Sequence, residues 1–294
     1  MSYLQPSEFV IKMVDAGEAK VRMGLRDTLI RSYMAGALLA LAVVFAISIN
    51  VQTGNPLVGA AFFPVGFAMI YLMGFDLLTG VFVIAPLAWL DRRPGITLGR
   101  VFACWGKVFV GNYLGALTIA WLMYVNFTFG FSSPVSPVGQ VIAKIGQTRT
   151  VGYKIHGAGG WFTLFERGAL CNWMVTMGVV GAMIATGVAG KVIAMWMPIV
   201  VFFYLGFEHS VVNMFLFPLA LMCHGDFGIR DYILWNEFPT VLGNILGGIT
   251  LTGLMLYITH VHTQPPREFA PALNGHHRSA ESDRAMKLPV GSDR

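Results

Sequence analysis

The sequence predicts an all-α integral membrane protein of six transmembrane spans, arranged as two inverted three-span repeats with broken second and fifth helices. Three observations carry that prediction. The chain of 294 residues is 55% hydrophobic and only 12% charged, with a mean hydropathy of +0.65, which lies outside the range of water-soluble domains. Its uncharged stretches have membrane length: no Asp, Glu, Lys or Arg occurs from Ser32 to Phe75, Val108 to Ala143, Gly168 to Gly190, Val192 to Phe207 or Phe238 to Pro266. All but the fourth hold the roughly 20 residues a crossing helix needs, and the fourth does so once Glu208 is admitted to the membrane. Finally, short motifs return 132 residues later: Gly36-Ala37-Leu38 as Gly168-Ala169-Leu170, Gly74-Phe75-Asp76 as Gly206-Phe207-Glu208, and the Gly111-Asn112 and Gly115 pattern as Gly243-Asn244 and Gly247. Three matches in one register argue for an internal duplication. Each copy holds an odd number of crossings, so the second runs inverted relative to the first.

Taken in order, residues 1–31 read as a cytoplasmic N-terminal segment. Between 6 and 26, Phe9, Ile11, Met13 and Val14 interleave with Glu8, Lys12, Asp15 and Glu18, an amphipathic pattern suited to a membrane surface or a pore mouth. Its acids and bases are interspersed with no apolar core ahead of a small-residue cleavage site, so it is not a signal peptide. The channel domain covers 32–262, with spans near 33–51, 57–90, 101–127, 161–187, 192–222 and 239–261. Thr53-Gly54-Asn55-Pro56 is a turn between the first two. As one helix, 57–90 would extend about 51 Å against a hydrocarbon core of about 30 Å. It has to break, and Gly74-Phe75-Asp76-Leu77-Leu78-Thr79-Gly80 offers the place. The tail, 263–294, is polar and proline-bearing, the composition of a disordered cytoplasmic segment, and its His276-His277 pair is too sparse for a metal site.

Charge distribution excludes a nucleic-acid partner as the reason for the basic balance. Lys and Arg number 20 against 15 acids. With both termini in the cytoplasm, only Lys144, Arg149, Lys154, Arg167 and Arg230 fall outside, which is the positive-inside pattern of a multi-pass inner-membrane protein. Cys104, Cys171 and Cys223 stand far apart with no metal-ligand spacing; they read as apolar fillers, and no cofactor is implied.

The broken spans locate the site. Interrupted backbone at membrane depth survives only where protein buries it or where it lines a cavity, so the two breaks are expected to meet near the midplane. The half-helices that follow begin near Thr79 and Ser210, both suited to N-capping, and their positive dipole ends favour an anion or a polar solute. Asp76 and Glu208 are expected to serve structure at the breaks by bonding freed backbone amides. His209 is the histidine at mid-membrane; a titratable group there costs about 2.5–3.5 kcal/mol, so it needs work to do. If the repeats meet, it stands opposite Thr79. A weak-acid anion arriving there takes up a proton and leaves as the neutral acid, which crosses an apolar constriction at far lower cost.

At these residues the chain resembles the formate/nitrite transporter family. The resemblance rests on GFEHSVVNMF at 206–215, GFDLLTG at 74–80, ALCNWMV at 169–175 and GNILGG at 243–248, and covers nearly all of 5–262. It implies an aquaporin-like fold, a homopentamer with one pore per subunit, and passage of small monovalent anions or their acids, such as formate, nitrite or hydrosulfide. It makes His209 the central pore histidine and Thr79 its partner. Phe63, Phe67, Leu77, Val175 and Phe202 fall at the apolar constrictions, and Asn172 and Asn244 where the family places pore asparagines. Lys154 matches the lysine that draws anions inward, with Lys144 as the other possibility.

Two other classes compete. An aquaporin-type channel for neutral solutes shares broken helices and inverted repeats, but would carry Asn-Pro-Ala at each break, and neither break has it. A membrane anchor of a redox enzyme needs paired histidines on facing spans or cofactor cysteines, which one mid-membrane histidine cannot supply. The chain reads as a transporter and not an enzyme.

Overall fold

The computed structural model describes residues 3–262, and helices make up most of them. Helix α1 (Pro6–Arg22) buries Phe9, Val10, Met13, Val14 and Val21, the apolar face of the amphipathic pattern, against the rest of the chain. Its start is stitched down by a Leu4 N–H bond to the Ile184 carbonyl at 2.9 Å. Helix α2 (Leu25–Thr53) follows and ends at Gly54, whose φ of 67° is a left-handed conformation that glycine adopts without strain. It begins earlier than the uncharged stretch suggested, because Arg26, Asp27 and Arg31 extend the helix beyond the apolar core.

The next span is interrupted twice. Helix α3 (Pro56–Phe62) gives way at Pro64 to α4 (Pro64–Leu72), and a second break separates α4 from α5 (Leu78–Leu90). The first of these interruptions follows from proline's missing N–H, and the sequence reading did not anticipate it. Helix α6 (Leu98–Phe127) is long and is capped by Thr97 Oγ1. Residues expected to form an outer loop instead hold α7 (Pro137–Thr148) and the short α8 (Val151–Lys154). Ser136 caps α7, with Pro137 at its first position, a start signal that the reading passed over.

Helix α9 (Gly157–Ile184) is followed by α10 (Val188–Tyr204) and α11 (Ser210–Met222), again separated by a break. The last helix, Ile229–His262, is kinked at Trp235 and carries π-turns at Ile233–Glu237, Ile249–Leu254 and Ile258–His262. Among the described residues four helices, α2, α6, α9 and the last, are long and apolar enough to cross a membrane; α3 to α5 and α10 to α11 are shorter apolar pieces. The motifs 132 residues apart have a structural counterpart, since α5 and α11 begin and end in that same register.

The repeated glycines are where helices touch. Gly36 of α2 faces the Asn112 backbone of α6, and Gly115 faces the Tyr33 carbonyl; a Cβ at either would collide with main chain. In the second half Gly243 and Gly247 of the last helix press on the Phe165 and Ala169 carbonyls of α9 in the same way. Small residues at these places allow close van der Waals packing, which is what holds helices together where both they and the surrounding lipid are apolar. Cys104, Cys171 and Cys223 are all buried and free. The tail, with His276 and His277, lies outside the described residues.

Candidate functional site

Both breaks are built alike. Gly74 and Gly206 take left-handed φ values of 71° and 64°, and the chain turns back so that Phe75 N–H reaches the Ile70 carbonyl and Phe207 N–H the Phe202 carbonyl, each at 3.0 Å. This satisfies carbonyls at the helix ends in the manner of a Schellman closure. The helices that resume are capped from outside. Asn112 Oδ1 accepts from Leu78 N–H at 2.9 Å and Asn244 Oδ1 from Ser210 N–H at 3.0 Å. The amide nitrogens work too: Asn112 donates to the Ser32 and Asp76 carbonyls, Asn244 to those of Gly168 and Glu208. Asn244 therefore spends its whole side chain on backbone, and Asn112, which the motif search quoted only as part of the repeat, does the same.

The expected self-capping by Thr79 and Ser210 does not occur. Helix α5 starts after Leu77, and Ser210 Oγ is buried with no hydrogen-bond partner. The N-cap of α11 is His209, whose Nδ1 accepts from Val212 N–H at 3.2 Å. That bond leaves the ring proton on Nε2, which lies 3.1 Å from Thr79 Oγ1. The two breaks thus meet through His209 and Thr79, both buried in the interior. Phe202 stacks against the His209 ring with centroids 5.6 Å apart, and Phe63 meets Phe202 edge-on at 5.6 Å. Phe203, which the sequence did not single out, stacks on Phe63 at 4.0 Å. Asn172 donates to the Thr79 and Asn244 carbonyls at 3.1 and 2.6 Å, while its Oδ1 is buried without a partner. Val175, one turn on from Asn172 along α9, is fully buried.

The two acids make no bonds to freed amides; side chains hold them. Asp76 pairs with Lys20 of α1. Glu208 Oε2 accepts from Asn213 and Asn236 at 3.1 and 3.2 Å and lies 3.7 Å from the Arg149 guanidinium. Asn236 reaches it from the π-turn of the last helix, where Trp235 has the non-helical φ, ψ of −112°, 17°. Apart from Asn213, five residues on from Glu208, these partners come from segments far along the chain, and no local signal announces them.

A cavity opens at each break. One of about 250 Å³ is lined by Lys20, Phe67, Gly74, Asp76 and Leu77 among others. The other, about 310 Å³, is lined by Thr148, Arg149, Gly152, Tyr153, His156, Arg167 and Gly206. Lys154 does not line it; its ammonium is tied to Asp231 at 2.8 Å and is half exposed. Arg167 donates instead to Tyr153 Oη at 2.7 Å and to the Leu205 carbonyl at 3.1 Å. Burial, and then the Glu208 carboxylate, push the Tyr153 phenol up, so it stays protonated. Among the described residues no three His, Cys, Asp or Glu side chains group as metal ligands would.

The sequence model of the family described as formate/nitrite transporter matches residues 7–258. The formate channel FocA of Haemophilus influenzae is 32% identical over 259 residues, covering 78% of this chain and 85% of that protein. A solved FNT family ion channel superposes with a TM-score of 0.75 at 25% identity, over 86% of this chain and 98% of that one. A solved pentameric formate channel with formate bound has the same fold, with a TM-score of 0.65 at 21% identity over 80% of this chain and 97% of that one.

Proposed function

The chain belongs to the formate/nitrite transporter family, and we propose that it passes formate or a similar small monovalent anion across a membrane, as the anion or with a proton, through a pore whose central side chain is His209. The relatives are transporters and channels rather than enzymes. The observation that carries the reading is the buried contact of 3.1 Å between His209 Nε2 and Thr79 Oγ1, which joins the two breaks between the two cavities.

That contact has a direction. The Nε2–H donates to Thr79 Oγ1, so the threonine's own O–H is left to donate to an oxygen of a solute between the breaks. Asn172 Oδ1 is a free acceptor in the same interior and suits the O–H of a protonated acid. Phe67 and Leu77 line the cavity on the Lys20 side, Phe63 and Phe202 pack about the His209 ring, and together with Val175 they make the apolar constrictions. An anion pays heavily for such surroundings, whereas its neutral acid pays little. His209 is the group at which the proton is exchanged.

The finer architecture belongs to the same reading. Six crossings as two inverted three-span repeats, aquaporin-like, with broken second and fifth spans, are supported by the 132-residue register of α5 and α11. The solved pentameric channel of the same fold supports a homopentamer. The excess of Lys and Arg on the Lys20 side supports an inner-membrane protein with that side, both termini and the 1–31 segment in the cytoplasm, the 32–262 channel domain between, and the Arg149 cavity facing outward.

Formate uptake by proteoliposomes under an inward acid gradient tests it. His209→Phe, which keeps the stacking surface for Phe202, is expected to lower uptake about tenfold or more and to flatten its dependence on pH. Unchanged uptake with an unchanged pH profile removes His209 from the mechanism.

A further inference from the structure

The cavity at the second break holds cations of one chemical kind, and they converge. A Cβ placed on Gly206 would lie 3.4 Å from Arg149 Nη2 and 4.0 Å from Arg167 Nη2, so the two guanidinium groups come together at the glycine of the break. A side chain there would fill the space between them, and the left-handed φ of 64° already favours glycine. Arg149 has a buried counter-charge in Glu208 at 3.7 Å. Arg167 has none: its contacts are the neutral Tyr153 hydroxyl and the Leu205 carbonyl, and no carboxylate stands within 4.0 Å of it among the described residues. With Lys154 matched by Asp231, the lining carries one uncompensated positive charge. Of the five N–H donors of Arg167, two are engaged, by groups that hold the guanidinium plane in place.

We propose that Arg167, with Arg149 beside it, forms a collecting site for planar two-oxygen anions, small carboxylates and nitrite, in preference to compact single-centre anions such as hydrosulfide or chloride. The inference rests on the anion-pore reading above and names its substrate class. A guanidinium presents parallel N–H groups in a rigid fork that matches the two oxygens of a carboxylate, whereas an ammonium is a point charge with no such preference. Two forks meeting at Gly206 offer donors to both oxygens at once. The Lys20 side, with a single ammonium already paired to Asp76, has no counterpart. Selection among anions therefore belongs to the Arg149 side of the molecule.

Arg167→Lys keeps the charge and removes the fork. In proteoliposomes containing the full-length protein, the expected result is a rise of about tenfold in the half-saturating formate concentration, and a similar rise for nitrite. Hydrosulfide transport stays within about twofold and the maximal formate rate is preserved. Tyr153→Phe, which frees the guanidinium to rotate while leaving both arginines, is expected to move the formate-to-hydrosulfide ratio the same way by a smaller factor. Assembly of each variant is checked by its elution volume, and formate binding to detergent-solubilised protein by calorimetry gives a readout that does not need flux. Equal losses for formate and hydrosulfide, or no change in either, overturn the proposal while leaving the pore reading intact. A wild-type protein that passes neither formate nor nitrite overturns the pore reading itself.

Discussion

The two halves of the molecule share a backbone and divide the chemistry. Each has a broken span with a left-handed glycine at the turn, an acid two residues on, and an asparagine from a neighbouring helix that caps the resumed half. What fills equivalent positions differs. Where the second half has His209, the first has Leu77; where it has Asn172, Thr176 and Thr252, the first has Ala40, Val44 and Ala120, all buried. Thr176 and Thr252 bond one another at 2.7 Å in the second half, a polar contact with no partner in the first. The acid Asp76 is held by one lysine, whereas Glu208 sits in a group of Arg149, Asn213 and Asn236. The two breaks thus share the parts that hold the interrupted backbone and differ in the side chains between them. The first half contributes Thr79 and apolar walls, and the second almost everything that donates or accepts.

That division can be tested by treating both halves alike. Replacing Asn112 or Asn244 with leucine strips a helix start of its cap and two carbonyls of their donors; we expect each to cost at least about 3 kcal/mol and to reduce yield of folded protein. Thermal unfolding in detergent should show losses of similar size in the two variants. If only Asn244→Leu destabilises, the shared framework is not shared. Gly115→Val and Gly247→Val come next, because each Cβ would meet a carbonyl of the facing helix. About 1–3 kcal/mol is expected for each, again equally, from the same melts. The smallest effect should come from a site that exists in one half alone. Thr252→Val removes the bond to Thr176 at about 1 kcal/mol, while Ala120→Val in the first half has no such bond to lose, so the two melts differ in origin as well as size.

How far the sequence reading reached follows from where each signal lives. The breaks were legible because Gly74 and Gly206 lie within apolar spans that carry an acid near the centre, the first also too long for one straight crossing, and because the motifs recur in register. The meeting of His209 with Thr79 was expected from the two matching breaks and from the family resemblance. Partners drawn from other helices were not legible. Lys20 reaches Asp76 over 56 residues, and Asn236 reaches Glu208 over 28 from a π-turn that no local motif announces. The N-terminal segment and the stretch from 137 to 154 show a second limit. Short amphipathic helices there pack onto α5 and α11 respectively, and three of the polar residues that made 137–154 look like a loop, Thr148, Arg149 and Tyr153, line the cavity at the second break. Lys154 was a natural choice by charge and position, but charge alone does not reveal that Asp231 has already claimed it.

The unmatched guanidinium of Arg167 has a short reach. At physiological ionic strength mobile ions damp its field within about 8 Å, little more than the width of the cavity it borders. It therefore cannot gather solute from the bulk solution, and arrival is left to random encounter. On the proposed reading it changes dwell time: an ion that wanders in stays longer, so the site is filled more often at low solute concentrations.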